Sequence, residues 1–294
     1  MSLFEGSGVA IVTPFKADGS VDFDAYKKLI DFQIENGTDC IISCGTTGEA
    51  STLKDDEHIE TVAFAVSCAN KRVPVIAGTG SNDTEHGISL TKRAYKAGVD
   101  GCLVVPPYYN KTSQRGLIEY FTSMAKCADI PIMLYNVPSR TGINIQPKTV
   151  LELCTKVDNI TAIKEASSDI EQIGEIAALC EGKIDIYSGN DDQIVPILAL
   201  GGKGVVSVLA NVAPRQTHDL VMKFLQGDVA GSLKIQLELF DLVKALFIEV
   251  NPIPVKEALN LMGFNCGGYR RPLVPMEEKN RDILITAMKK HGLL

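Results

Sequence analysis

Eight short apolar runs alternate with amphipathic stretches through the first 227 of 294 residues, and this predicts an α/β fold, a (β/α)8 TIM barrel. Two further observations support it. The apolar runs are mostly continuous, as strands buried on both faces of a parallel sheet require. Beyond about residue 228 the strand-like runs stop and helical spacing continues alone, which predicts a C-terminal three-helix extension. The expected domains are a catalytic barrel over 1–227 and a helical extension over 228–294. An open, doubly wound sheet is the alternative, since eight units could also lie flat.

Val9-Ala-Ile-Val-Thr13-Pro14 reads as the first strand. Asp22 or Asp24 caps a helix that carries Tyr26, Leu29, Ile30 and Gln33 on one side and stops at Gly37. Cys40 to Cys44 is the second strand. After the turn Gly45-Thr-Thr-Gly-Glu49, Thr52 and Asp55 have the spacing of a capping box, and Ile59, Val62, Ala63 and Val66 share a face of the next helix. Val73 to Ala77 is the third strand, and its helix runs from near Thr84 to Gly98. Gly101 to Val105 is the fourth, before a helix over about 115–128. Ile130 to Tyr135 is the fifth, and Pro147 suits the first turn of the helix that follows. Ile160 to Lys164 is the sixth, followed by a helix with Ile170, Ile173, Ile176, Ala177 and Cys180. Ile184 to Tyr187 and Gly204 to Val208 are the last two, with helices around 193–200 and from Pro214. In the extension, helical patterns cover 233–248, 253–261 and 277–288. The strand–helix period is the only repeat.

Apolar residues make up 45% and charged residues 22%, the composition of an ordinary globular protein. The net charge of −7, with no compensating lysine/arginine cluster, argues against nucleic acid as a partner. No apolar run is long enough for a membrane span, and Met1 to Gly8 lacks a secretory pattern, so a cytoplasmic protein is expected. The eight cysteines form no C-x-x-C pair and read as reduced core residues. Cys40 and Cys44 share a strand face without a second ligand pair, so no metal is expected.

Active sites of such barrels sit at the C-terminal ends of the strands. That rule selects Thr13, Thr46, Thr47, the Gly78–Ser81 turn, Tyr108, Tyr109, Tyr135 with Arg140, Lys164, Gly189 and Ser207. The set holds no histidine, so zinc hydrolysis and histidine base catalysis are poorly supported. His58, His86, His218 and His291 fall in or near helices and suit surface or packing roles. Lys164 ends a buried strand. Burial disfavours an ammonium, so its amine can become a nucleophile and form an imine with a carbonyl substrate. The plain alternative is a lysine past the strand end in water. Gly45–Glu49 can turn tightly and present N–H groups and two hydroxyls to an anion, although many such turns only connect. Gly201-Gly-Lys-Gly204 precedes a strand and reads as a turn, and Gly78-Thr-Gly80 lacks the third glycine of a dinucleotide site. Tyr135 can transfer a proton, and Arg140, beyond a proline turn, can fork onto a carboxylate. A core-edge aromatic and a surface charge are their alternatives. Asn190, Asp191 and Asp192 argue against a phosphorylated substrate.

Gly45-Thr-Thr-Gly-Glu49, Pro107-Tyr-Tyr-Asn110, Tyr135-Asn-Val-Pro-Ser-Arg-Thr-Gly142, Ile163-Lys-Glu-Ala166, Gly204-Val-Val-Ser207 and Asn251-Pro-Ile-Pro-Val-Lys256 occur together in this order. The combination resembles the dihydrodipicolinate synthase family of pyruvate-dependent class I aldolases, over essentially the whole chain. The resemblance implies that Lys164 forms an imine with pyruvate and that the derived enamine attacks L-aspartate 4-semialdehyde. The product is 4-hydroxy-tetrahydrodipicolinate, on the way to diaminopimelate and lysine. It also implies a proton relay of Thr46, Tyr109 and Tyr135, with Tyr109 serving a neighbouring subunit. Thr46 and Thr47 would hold the pyruvate carboxylate, Arg140 the semialdehyde carboxylate, and Gly189 and Val206 would line the pocket. No metal or organic cofactor is implied, and the family is usually a homotetramer, a dimer of tight dimers.

Lysine-inhibited members of the family bind lysine near positions matching Tyr108, Asn82, His58, Ala50 and Ser51. Here Asp55 stands where enterobacterial-type members carry histidine, and His86 where they carry glutamate. Loss of that carboxylate predicts weak or absent feedback inhibition. The rival readings are a sialic acid or keto-deoxy sugar acid aldolase, a pyridoxal-phosphate enzyme and a non-catalytic binding barrel. Arg140 argues against the first, and the lack of a phosphate cradle against the second.

Overall fold

The computed structural model describes residues 2–294. Eight parallel strands close into a barrel in chain order: β1 (Gly6–Ala10), β2 (Cys40–Ser43), β3 (Val75–Gly78), β4 (Gly101–Val104), β5 (Ile132–Asn136), β6 (Ile160–Glu165), β7 (Asp185–Ser188) and β8 (Gly204–Ser207). β8 pairs with β1, Gly6 opposite Gly204, which completes the ring and sets aside the open sheet. The outer layer is α1 (Phe23–Glu35), α2 (Asp55–Ala69), α3 (Thr84–Lys96), α4 (Gln114–Lys126), a single turn α5 (Pro138–Thr141), α6 (Pro147–Lys156), α7 (Ile170–Cys180), α8 (Ile194–Ala199) and α9 (Pro214–Leu225). The rest of the chain forms α10 (Val229–Glu238), α11 (Phe240–Leu246), α12 (Ile253–Leu261) and α13 (Glu278–Lys290). Among the described residues no helix is long and apolar enough to cross a membrane.

Local chemistry accounts for the element ends. Asp22, Asp83, Ser113, Asp169 and Asp228 cap α1, α3, α4, α7 and α10 by accepting from free N–H groups of the first turn. Proline opens α6 and α9, where a missing N–H costs nothing. The barrel interior is filled by inward-facing side chains such as Ala10, Cys40, Ile42, Ile76, Leu103, Met133, Ala162 and Val206. Phe4 plugs its lower end, stacked 4.5 Å from the Tyr187 ring. A larger apolar layer lies between strands and helices, where Tyr26, Leu29 and Ile30 of α1 are buried as their spacing predicts.

Four local expectations are corrected. The capping box is absent: Lys54 occupies the cap position of α2, and Thr52 lies upstream in a short 3-10 turn with its hydroxyl on the Glu49 carbonyl. The buried face of α2 is His58, Thr61, Val62, Ala65 and Ala69, so Ile59, Ala63 and Val66 are only partly covered. Cys44 does not continue the face of Cys40. Its φ of +54° turns it out of the strand, and it packs in the outer layer while Cys40 packs inside the barrel. The extension holds four helices, because the expected 233–248 helix breaks at Leu239, whose ψ is 1°. The break lets the two halves bury different faces: α10 turns Ser232 and Gln236 inward, and α11 turns Leu242, Val243 and Leu246 inward.

Candidate active site

The register of β5, β6 and β7 places Tyr135 opposite Lys164 and Lys164 opposite Tyr187, so these side chains share one level of the barrel. Lys164 is only 6% exposed, and its Nζ stands 4.3 Å from the centroid of the Tyr135 ring. Glu165, the next residue, points to the opposite face, as period-two geometry requires. Its carboxylate accepts from Asn136, Ser167 and Gln172, and burial pushes it above the usual carboxylate range. It ties β5, β6 and α7 together behind the lysine.

Lys164 opens into a cleft of about 200 Å³ at the C-terminal ends of the strands. Thr46, Thr47, Tyr135, Arg140 and Gly189 line it, so six of the residues singled out in the sequence converge there. Gly189 has to be glycine for closeness: a Cβ would stand 2.6 Å from Ala166 Cβ and 3.1 Å from Lys164 Cε. Val206 departs from expectation. It is fully buried in the barrel interior, and Val208, two residues on, is the valine at the cleft. Thr13 and Ser207 are structural. The Thr13 hydroxyl donates to the Gly48 carbonyl, and that of Ser207 to the buried Asp191 carboxylate. Burial raises the Asp191 carboxyl, against the bonds from Ser207 and the Val208 and Leu209 N–H groups.

Tyr109 is 92% exposed, with a φ of +69°, and lies outside the cleft. The relay expected of Thr46, Tyr109 and Tyr135 is therefore not assembled within one chain. A second cavity, about 330 Å³, adjoins the first at Thr46 and Tyr135 and is lined by Ala50, Ser51, His58 and Tyr108 together with Asp55 and His86. Asn82 is outside its lining, and its carbonyl accepts from the Asn110 amide. His86 bridges Asp55 Oδ1 at 2.9 Å and Ser81 Oγ at 3.0 Å. His58 is buried and donates from Nε2 to the Gly78 carbonyl, and burial holds its imidazole below the usual range.

Asn251, given no role by the sequence, is a neighbour of two candidate site residues. Its side-chain Nδ2 donates to Thr47 Oγ1 at 3.0 Å, and its backbone carbonyl accepts from the Arg140 guanidinium at 3.2 Å. One residue of the extension thus touches both groups expected to hold substrate carboxylates. A buried asparagine within a proline-flanked, motif-like stretch was the available signal.

A sequence profile described as the dihydrodipicolinate synthetase family matches residues 3–291. The chain is 62% identical over 294 residues to 4-hydroxy-tetrahydrodipicolinate synthase of Lachnoclostridium phytofermentans, covering 100% of both chains. It superposes with a TM-score of 0.97 on dihydrodipicolinate synthase of Aquifex aeolicus, 46% identical with 99% of each chain covered. The TM-score is also 0.97 to the enzyme of Cyanidioschyzon merolae with lysine bound, 41% identical with 100% of each chain covered.

Proposed function

The chain belongs to the dihydrodipicolinate synthetase family, and from that premise we propose how the residues of its barrel mouth divide the work. The protein is a lyase of the class I aldolase type. It condenses pyruvate with L-aspartate 4-semialdehyde to 4-hydroxy-tetrahydrodipicolinate, in the synthesis of diaminopimelate and lysine. The observation that carries the assignment of roles is Lys164: a lysine buried at a strand end, against a tyrosine ring, in a cleft that also holds Arg140 and two threonines.

Lys164 Nζ attacks the pyruvate keto carbon, and loss of water leaves a protonated imine. That cation is an electron sink, so the methyl group gives up a proton and becomes a nucleophilic enamine. The enamine carbon bonds to the aldehyde carbon of the semialdehyde, whose oxygen takes up a proton. The amino group of the second substrate then attacks the imine carbon, closes the ring and releases the lysine amine. Thr46 and Thr47 hold the pyruvate carboxylate, and Gly189 lines the cleft beside the lysine. Arg140 forks onto the carboxylate of the semialdehyde. Tyr135 and Thr46 pass the protons, because a hydroxyl both donates and accepts. Tyr109 completes the relay from a neighbouring subunit, in a homotetramer built as a dimer of tight dimers; its exposure and strained φ in the single chain support this. The barrel, 1–227, carries the chemistry, and 228–294 buttresses its mouth. No step calls for a metal or organic cofactor. The eight free cysteines support a reducing, cytoplasmic setting.

Borohydride reduction in the presence of pyruvate tests the reading. A stable adduct is expected on Lys164 by peptide mass mapping, and none on the Lys164→Ala variant. An adduct on another lysine, or none on the native chain, refutes it.

A further inference from the structure

Lys256 and Glu49 form the most deeply buried ion pair among the described residues, with side chains 0% and 1% exposed and Nζ 2.7 Å from Oε1. The Lys256 ammonium also donates to the Gly268 carbonyl at 2.7 Å and stands 4.1 Å from the centroid of the Phe15 ring. Burial pulls its affinity for the proton down, and the charge of Glu49 opposes that pull. The second oxygen of Glu49 accepts from the Arg270 N–H at 3.0 Å. A buried ion pair is a weak source of stability, since apolar residues of the same volume often serve as well. It does fix a position, because each charge has to meet its partner in one geometry.

The position fixed here is that of the Gly45–Glu49 turn. Glu49 ends that turn at a φ of +54°, and its N–H donates to the Thr46 carbonyl at 3.1 Å. Thr13 holds the Gly48 carbonyl at 2.7 Å, and Asn251 holds Thr47 Oγ1 at 3.0 Å. The turn is pinned at three successive residues; Thr46 is exposed, and the largely buried Thr47 still lines the cleft. Lys256, Arg270 and Asn251 all come from the C-terminal extension, across more than 200 residues of chain from the turn in the case of Lys256 and Asn251.

We propose that Lys256 and Glu49 are positioning residues for pyruvate. Their ion pair clamps the turn so that Thr46 and Thr47 present their hydroxyls to the pyruvate carboxylate at the distance Lys164 needs. The proposal rests on the functional reading above and adds to it that the extension holds the carboxylate-binding turn of the pyruvate site in place.

The test is kinetic, on the full-length protein, at a temperature where circular dichroism shows each variant folded. Glu49→Asp keeps the charge and shortens the arm by a methylene. The double variant Glu49→Gln, Lys256→Met removes both charges and leaves no unpaired ion buried. Both are expected to raise KM for pyruvate about tenfold and to slow borohydride trapping at a fixed pyruvate concentration, as misplacing a binding group by a fraction of an ångström does. KM for the semialdehyde stays within about threefold. Arg281→Met breaks an ion pair with Glu257 on the face of α13 and leaves both KM values as they were. A pyruvate KM within about twofold of native in Glu49→Asp and in the double variant overturns the proposal, and so does an equal rise in both KM values. If the double variant does not fold, Glu49→Asp decides by the same criterion. Failure of the native protein to trap pyruvate on Lys164 refutes the functional reading instead, and needs no variant to detect.

Discussion

Replacing Gly189 with alanine tests how tightly the backbone confines Lys164, the proposed imine-forming lysine. The added Cβ would lie 2.6 Å from Ala166 Cβ, 3.0 Å from the Glu165 carbonyl oxygen and 3.1 Å from Lys164 Cε. Comfortable carbon–carbon contacts lie at about 3.5–4.0 Å, so the first contact has to open by roughly 1 Å and the last by about half that. Glu165 and Ala166 belong to backbone held on both sides: the Gly189 N–H donates to the Glu165 carbonyl at 2.7 Å, and the Ala166 N–H to Asn136 at 2.9 Å. Strain therefore passes to the Lys164 side chain as well as to the strand. Overpacking of this kind costs about 1–3 kcal/mol of stability. A shift of about 1 Å in a reacting group loses up to ~100-fold in rate, or about 2.7 kcal/mol of barrier. The lysine contact opens by about half of that, so the expected result is a fall of roughly tenfold in kcat/KM for pyruvate and in the rate of borohydride trapping. Tm should fall by a few degrees, at about 2–4 °C per kcal/mol for a chain of this size. Calorimetry and steady-state kinetics on the same preparation separate the two effects. Native trapping and turnover rates in Gly189→Ala would show that the close backbone contact does not set the lysine.

Arg140→Leu removes a charge-assisted fork worth about 1.5–3 kcal/mol, so KM for the semialdehyde rises about 10- to 150-fold while pyruvate trapping stays native. Loss of trapping would refute that division. Tyr109→Phe and Lys164→Ala chains, each nearly inactive, regain activity when unfolded and refolded together, because a mixed pair holds one complete site. Mixing without recovery refutes the site shared between subunits. Free lysine inhibits weakly, since the Asp55 carboxylate is already engaged by His86 and no glutamate stands at that position. Half-inhibition below the millimolar range in a standard coupled assay refutes this. Burial holds the His58 imidazole below its usual 6.5, so the unfolded chain takes up this proton first as pH falls. Its contribution is present above about pH 6.5 and is lost below it, at no more than ~1.4 kcal/mol per pH unit. His58→Gln keeps a donor to Gly78, and should flatten the urea-measured stability between pH 7 and 5; an unchanged slope refutes the assignment.

The barrel was legible because its signals are local. A strand buried on both faces is an unbroken apolar run, and the helices between carry their caps and stripes in plain order. Lys164 stood out for the same reason, as a charge ending such a run. What stayed hidden is non-local or inverts the usual pattern. α10 buries Ser232 and Gln236, which bond to the Leu220 and Asp191 carbonyls, and leaves Val229, Leu233 and Leu237 exposed. Its apolar spacing therefore pointed to the wrong face and joined it to α11. Val206 and Val208 share a strand end, and only the turn after β8 decides which one reaches the cleft. Asn251 and Lys256 reach partners more than 200 residues away, and the motif-like stretch that holds them does not name those partners.

The late position of those two residues has a consequence for the life of the chain. Synthesis runs from the N-terminus, so all eight strands and Lys164 leave the ribosome before Asn251 and Lys256 exist. A nascent barrel holds Lys164 before the contacts that pin the Gly45–Glu49 turn can form. On the proposed roles the pyruvate site is complete only once the segment holding Asn251 and Lys256 has been made, and a chain cut short before Asn251 is expected to trap pyruvate poorly.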